Sequence, residues 1–183
     1  ERTLDMKKKE NSINPLWGGR FKSGINDLAQ YYSASVDIDK RLFEVDIKGS
    51  IAYAEALRRA KLINANELKK IKQGLKKVLQ EINQNKFDWD PSLEDVHMNI
   101  ESRLAKFAGE AAKKIHTGRS RNDQIATDLR LFLIKKIDDI SDSLTVLQKS
   151  IVKLADNNTD TIMPGLTHLQ IAQPVTFGHH LMA

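Results

Sequence analysis

The amino-acid sequence predicts a mainly α-helical protein. In residues 66–82, 96–111 and 125–154, apolar side chains recur at steps of three and four, which places them on one face of a helix. No run of alternating apolar and polar residues predicts a strand. The chain has 183 residues, of which 40% are hydrophobic and 29% charged. It is long enough to bury a core, and a disordered protein is excluded.

The first residues predict an arm followed by a pinned turn. Residues 1–14 are polar and lack periodicity, which is typical of a flexible arm. The stretch Trp17-Gly18-Gly19-Arg20-Phe21 places two glycines between large aromatic side chains, a pattern that favours a turn held by burial of the aromatics. We expect an N-terminal helical domain over residues 15–122.

Two helices that form a hairpin are predicted next. The first starts near Asp37 and is expected to be loosened near Gly49-Ser50; the second runs from about Asn66, a candidate N-cap, to about Ile82. The second helix region is rich in lysine, but no aromatic side chains are interleaved for base stacking. These lysines therefore indicate the solvated face of an amphipathic helix, and no nucleic-acid partner is predicted.

A third helix follows the turn-like Asp88 to Ser92, with an apolar stripe that starts at Val96. Glu94, His97 and Glu101 lie on one face of it, at steps of three and four. A metal site could use such an edge, but there is no second histidine at ligand spacing. Hydrogen-bonded polar groups on the helix surface are favoured, and no metal is predicted.

The stripe over residues 125–154 predicts a helix of about 45 Å, at about 1.5 Å per residue. A helix this long needs partners from more chain or from more subunits, as in a long-helix bundle. We expect residues 123–183 to begin such a bundle domain, with Gln173-Pro174 at the start of a further helix. The sequence would then be the N-terminal part of a longer protein.

Two polar clusters are candidates for chemistry. In His116 to Asp123, a helix start, Gly118 and two arginines would suit a carboxylate or a phosphate. The alternative is an N-cap turn, capped by Asn122 or Asp123, with exposed arginines. The second cluster contains Thr167 and His168, and His168 is a candidate acid or base or else a structural histidine.

Composition also bears on compartment. Cysteine is absent, which removes disulfides and thiol nucleophiles. The longest run of large apolar residues is Leu131 to Ile134, far short of the ~20 residues that span a bilayer. A cytoplasmic protein without a membrane partner is expected.

Four motifs together carry a resemblance to a known family. They are Leu16-Trp17-Gly18-Gly19-Arg20-Phe21, Glu94-Asp95-Val96-His97, the string from His116 to Gln124, and Thr167-His168-Leu169-Gln170-x-Ala172-Gln173-Pro174. In order and spacing the chain resembles the argininosuccinate lyases of the fumarase/aspartase superfamily. The resemblance implies a helical domain leading into a long central helix bundle of that type, and a homotetramer with sites shared between subunits. It also implies β-elimination of argininosuccinate to arginine and fumarate in arginine biosynthesis, without metal or organic cofactor.

The resemblance also implies roles for single residues. Ser35, Ser120, Arg121, Asn122 and Thr167 look like substrate contacts, and His168 looks like the catalytic histidine. Leu166 replaces the tyrosine usual in the family, and the family's serine-containing catalytic loop would lie beyond Ala183, so the chain alone is expected to be inactive. Two alternatives stay open: another superfamily lyase, of the adenylosuccinate or aspartate type, and a non-catalytic, crystallin-like structural relative.

Overall fold

A computed structural model describes residues 27–183, and the chain divides into two compact units, one up to Leu129 and one from Arg130 to Ala183. The structure is mostly helical, which confirms the predicted fold class. The predicted arm over residues 1–14 and the turn over 17–21 lie outside the described residues.

Residues 27–129 of the first unit contain five helices and the start of a sixth. They are α1 (Asp27–Ser33), α2 (Val36–Asp39), α3 (Phe43–Arg59), α4 (Ala65–Asn83), α5 (Val96–Ala108) and the beginning of α6 (Arg121–Asp156). Three short 3-10 helices connect them: Lys40–Leu42, Pro91–Leu93 and Gly109–Lys114.

The predicted hairpin is formed by α3 and α4, which pack against each other. The predicted loosening near Gly49-Ser50 is wrong, because α3 continues through both residues. The predicted N-cap is also wrong by two residues: Asn64 caps α4, its Oδ1 accepting from the Glu67 backbone N–H at 2.9 Å. Glu67 Oε2 accepts in return from the Asn64 N–H at 2.8 Å, which completes a capping box.

The core of the first unit lies between α3, α4 and α5. Its fully buried side chains include Ile71 and Leu75 of α4 and Ile100 and Leu104 of α5. At Gly74 the two helices approach so closely that a Cβ atom would lie 2.6 Å from Leu104 Cδ1. The core thus fixes α5, whose N-terminal end carries part of the candidate site.

The second unit contains a two-stranded antiparallel sheet, which corrects two predictions. Strands β1 (Ile162–Thr167) and β2 (Gln170–Thr176) pair where no strand was predicted. Gln173-Pro174 lies inside β2, and the next helix, α7 (Phe177–Leu181), begins only at Phe177. Proline is tolerated here because each strand of a two-stranded sheet has a neighbour on one side only, so a backbone N–H can be missing on the other side.

Helix α6 has 36 residues, which corresponds to a length of about 54 Å and confirms the predicted long helix. Along it the apolar side chains of Ile137, Ile140, Leu144 and Leu147 alternate at steps of three and four and are 54–63% exposed. This spacing is the heptad pattern of helices that pack side by side. No helix within residues 27–183 is both long enough and apolar enough to cross a membrane.

We expect Leu104→Ala to lower the free energy of unfolding by about 2 to 5 kcal/mol, because it empties a buried site between α4 and α5. Leu62→Ala is the matched control: Leu62 is 53% exposed, and its truncation should change stability by no more than about 0.5 kcal/mol. Urea unfolding of the full-length protein carrying this chain measures both. Equal losses in the two variants would contradict the assigned core.

Candidate active site

The polar cluster from His116 to Asp123 forms the turn into α6. Ser120 caps the helix: its Oγ accepts from the Asn122 backbone N–H at 3.2 Å, and Asp123 Oδ2 accepts from the Ser120 N–H at 3.2 Å. An N-cap turn is therefore present, as the alternative predicted, but Ser120 caps the helix and not Asn122 or Asp123. The Asn122 side chain is exposed on the first turn of α6.

The two arginines of this turn point to different environments. Arg119 is only 7% exposed, lies over the Tyr53 ring at 4.9 Å and donates to Ser50 Oγ at 3.3 Å. Its role is therefore structural, and the expectation of an exposed Arg119 is wrong. Arg121 is partly exposed and donates from Nη1 to Glu101 Oε1 at 2.8 Å.

Arg121 retains a donor for a ligand. Its Nη1 also donates to Gln124 Oε1 at 2.5 Å, and its Nε lies 3.9 Å from Asp95 Oδ2. Within residues 27–183, Nη2 makes no hydrogen bond. A guanidinium whose side chain is 26% exposed and which keeps one nitrogen without a hydrogen bond among these residues suits a carboxylate.

Ser35 lies at the start of α2, next to the beginning of α5. Its Oγ donates to Asp39 Oδ2 at 2.6 Å, and its backbone N–H donates to the Glu94 carbonyl at 2.8 Å. Asp95, the residue near Arg121 Nε, caps α5 by accepting from the Met98 N–H at 2.7 Å. The structure thus brings Ser35 and Arg121 to the same segment, residues 94–95.

Glu94 holds a backbone conformation that is unfavourable for an L-residue. Its φ is 62° and its ψ is −67°, and the Asp95 N–H donates to the Leu93 carbonyl across it at 2.7 Å. This tight three-residue turn costs of order 1–3 kcal/mol. Strain of this kind is concentrated at functional sites, which supports this segment as part of one.

A buried polar cluster beneath the turn was not predicted as a site. Asp46 of α3, His97 of α5, and Gln124 and Asp128 of α6 are all at most 1% exposed. His97 Nδ1 lies 2.9 Å from Asp46 Oδ1, and Gln124 Nε2 donates to the same oxygen at 2.5 Å. The four-residue spacing of Gln124 and Asp128 was a signal for a shared face, but not for burial.

The pKa values of the titratable groups in the cluster are shifted in different directions. Burial by itself raises the pKa of Asp46, but the hydrogen bond and charge of His97 outweigh it and hold that pKa below its ordinary value. Burial lowers the pKa of His97, and the hydrogen bond to Asp46 reverses this, so that the pKa is raised. Burial, together with the charge of Asp46, raises the pKa of Asp128 to about 7.

Asp46, His97 and Asp128 are also residue types that bind cations, and one ligand atom from each lies within 4.8 Å of the others. Asp46 Oδ1 already accepts from His97 and Gln124, so the arrangement is a hydrogen-bonded one. The group considered from sequence, Glu94, His97 and Glu101, does not converge in the part of the chain described. His97 is buried against Asp46 rather than on the helix surface, which corrects the prediction for it.

Thr167 and His168 belong to the second unit, which is described by itself. Thr167 ends β1, and His168 and Leu169 form the two-residue turn to β2 with φ values of 49° and 63°. Both predicted site residues are exposed, and His168 makes no side-chain hydrogen bond in the described part of the chain. His168 is therefore not a core histidine.

Comparison with known proteins gives the family. A protein-family model described as "Lyase" matches residues 19–183. The chain belongs to this lyase family. The match covers both units, including the turn into α6 and the β1–β2 hairpin.

Individual lyases are closely similar in sequence. The chain is 55% identical over 168 residues to the argininosuccinate lyase of Methylococcus capsulatus, covering 92% of this chain and 36% of that one. It is 52% identical over 180 residues to the argininosuccinate lyase of Saccharophagus degradans, covering 98% and 38%. The chain thus spans somewhat more than a third of the length of these relatives, and the predicted resemblance is confirmed.

Solved lyase structures share the fold. EDDS lyase in complex with formate matches with a TM-score of 0.65 and 26% identity, over 86% of this chain and 31% of that one. A fumarate lyase:delta crystallin from Brucella melitensis matches with a TM-score of 0.66 and 18% identity, over 86% and 42%. These likenesses support a helical lyase architecture.

The raised pKa of Asp128 predicts a pH-dependent stability. Between pH about 4 and 7 Asp128 keeps a proton in the folded protein that the unfolded chain releases, so its contribution to stability falls as pH rises, by up to about 1.4 kcal/mol per pH unit, and this contribution levels off above pH 7. Asp128→Asn, which imitates the protonated acid, should remove this slope and leave the fall due to His97, whose pKa is also raised.

Thermal melting of the full-length protein at pH 5, 6, 7 and 8 measures the slope. The exposed Asp142 lies on the same helix, so Asp142→Asn is the matched control and should keep the wild-type slope. If Asp128→Asn melts with the wild-type pH dependence, Asp128 is already ionised in the folded protein at pH 5, which contradicts the prediction.

Proposed function

We propose that the full-length protein containing this chain is an argininosuccinate lyase, which produces arginine and fumarate. The observation that carries the proposal is the identity of 49–55% with curated argininosuccinate lyases over 91–98% of the chain. Identity at this level along both units favours a shared substrate over the adenylosuccinate and aspartate alternatives.

The reaction is a β-elimination. A base removes a proton from the carbon beside a carboxylate, the C–N bond to the guanidinium nitrogen breaks, and an acid protonates that nitrogen as it leaves. Negative charge builds up on the carboxylate beside the carbanion, so fixed donors there lower the barrier. The electron pair of the C–H bond forms the new C=C bond and the pair of the C–N bond leaves with the nitrogen, so the step is balanced without a redox partner.

Four side chains of the first unit suit the substrate's carboxylates. Arg121 offers Nη2, Asn122 offers an exposed amide and Ser120 offers a hydroxyl. The Ser35 hydroxyl donates to Asp39 Oδ2, so it would have to release that oxygen in order to donate to a carboxylate. We assign substrate binding to all four, with the charge-assisted contact from Arg121 as the strongest.

In the second unit we assign substrate binding to Thr167 and proton transfer to His168. The hairpin turn exposes the imidazole, and a histidine side chain exchanges protons near neutral pH. In an oligomer this hairpin and the turn into α6 can be contributed by different subunits, which accords with sites shared between subunits.

His168→Asn should reduce kcat by about 10² to 10⁴, because asparagine can replace one hydrogen bond of the ring but cannot exchange a proton. Fumarate formation, measured separately with argininosuccinate, adenylosuccinate and aspartate, gives the activity and identifies the substrate. His180→Asn, an exposed histidine of α7, is the matched control and should remain active.

A wild-type protein that releases no fumarate from argininosuccinate would contradict the proposed function. A His168→Asn variant that melts early but turns over normally per folded molecule would contradict only the role of His168. The two outcomes separate the identity of the substrate from the assignment of the acid or base.

We further propose that the protein assembles as a cytoplasmic homotetramer. The support is the exposed apolar stripe of α6, defined by Ile137, Ile140, Leu144 and Leu147, since a stripe at heptad spacing is typical of helices that bury it against one another. Equivalent helices from other copies would supply the missing partners.

Replacing Leu144 and Leu147 with Asp should convert the full-length oligomer to monomer or aggregate, because each buried carboxylate costs several kcal/mol. Light scattering measures the mass and circular dichroism the helicity. The matched control carries Thr145→Asp and Lys149→Asp, which introduce two aspartates outside the stripe, and its mass should be unchanged. An unchanged mass for the stripe variant, with intact helicity, would show that the stripe is not an interface.

A further inference from the structure

Gln124 connects the exposed turn to the buried cluster. Its side chain is 1% exposed, and both ends of its amide are used. Nε2 donates to Asp46 Oδ1, and Oε1 accepts from Arg121 Nη1, each at 2.5 Å. The side chain therefore spans the distance between a buried carboxylate on α3 and the guanidinium at the start of α6.

The chemistry of the two partners fixes the direction of this amide. The ionised Asp46 carboxylate can only accept, and the Arg121 guanidinium can only donate. A glutamine supplies one donor and one acceptor at the required separation. An ionised glutamate would face Asp46 without a donor, and a methionine of similar shape would have neither group.

The bridge determines how Arg121 is held. Nη1 is fixed by two acceptors, Glu101 Oε1 at 2.8 Å and Gln124 Oε1 at 2.5 Å, whereas Asp95 lies 3.9 Å from Nε, too far for a hydrogen bond. With Gln124 removed, one hydrogen bond to Glu101 remains, and the planar guanidinium can rotate about it. The direction of Nη2 would then no longer be set.

We propose that Gln124 is a positioning residue, which ties Arg121 to the buried Asp46–His97 pair and so aims Nη2 at a substrate carboxylate. The inference rests on the proposed function, because it assigns Arg121 to substrate binding. Gln124 itself is buried and does not touch the substrate. Its hydrogen bond to Asp46 also stabilises the fold, but its effect on substrate binding passes through Arg121, which is the feature that can be tested.

The first measurement is the kinetics of Gln124→Met in the full-length enzyme. KM for argininosuccinate should rise about five- to thirtyfold, less than for the full loss of a hydrogen bond to a charged group because Arg121 is misdirected and not removed, and kcat should stay within about threefold. Gln73→Met, an exposed glutamine of α4, is the matched control and should keep both constants.

A double-mutant cycle with Arg121→Met distinguishes positioning from general loosening. Arg121→Met alone should raise KM, and adding Gln124→Met should raise it less than twofold further. If the full effect of Gln124→Met persists without the guanidinium, Gln124 does not act through Arg121 and the proposal is overturned.

The remaining outcomes are also decisive. A wild-type enzyme without activity on argininosuccinate refutes the proposed function, whereas an active enzyme in which Arg121→Met raises KM and Gln124→Met does not refutes the positioning role only. If Gln124→Met fails to fold by thermal melting, Gln124→Asn replaces it. Asparagine is one methylene shorter and reaches only one of the two partners, so KM should again rise, and an unchanged KM would overturn the proposal.

Discussion

The hydrogen bonds accepted by Asp46 Oδ1 are the constraint on which the first unit depends. This single buried oxygen accepts from His97 of α5 and from Gln124 of α6, while Asp46 itself belongs to α3. A buried carboxylate without partners costs several kcal/mol, so each of the two other helices must bring its donor to this point. Apolar contacts have no preferred direction, whereas two hydrogen bonds to one oxygen require each donor to lie at a fixed distance and angle from it. The rotation and depth of α5 and α6 against α3 are therefore specified together.

Burial and, after it, the charge of the same carboxylate keep the proton on Asp128. Because Asp46 stays ionised, a second negative charge beside it in a buried site is unfavourable, and Asp128 retains its proton up to neutral pH. Gly49 contributes to this environment: a Cβ there would lie 3.2 Å from Asp128 Oδ1, a tight contact that would require a shift of a few tenths of an ångström. One charge in the core thus adds to the effect of burial on the protonation of its neighbour.

Much of the fold could be predicted because it is encoded locally. The stripes of α4, α5 and α6 are periodic over three or more turns, and Glu67 three residues after Asn64 is a capping-box pattern that identifies the correct cap. The hairpin could not be predicted in the same way. Its turn residues, His168 and Leu169, have positive φ but lack the Asn-Gly or Gly-X signals of two-residue turns, and Gln173-Pro174 imitates a helix start. The buried cluster is a tertiary property: Asp46 meets Gln124 across 78 residues of sequence.

The strained turn at Glu94 shows how the same fold prepares the candidate site. Its carbonyl accepts two backbone N–H groups, from Ser35 at 2.8 Å and Val36 at 3.0 Å, and these bonds hold a conformation that glutamate would otherwise avoid. The turn therefore attaches the start of α2 to the start of α5, where Asp95 faces Arg121. Ser35 and Arg121 lie 86 positions apart in the sequence, yet Ser35 is bonded to Glu94 and Arg121 lies near its neighbour Asp95. A site built in this way keeps its geometry before any ligand arrives, because backbone hydrogen bonds hold Ser35 and the side chains of Glu101 and Gln124 hold Arg121.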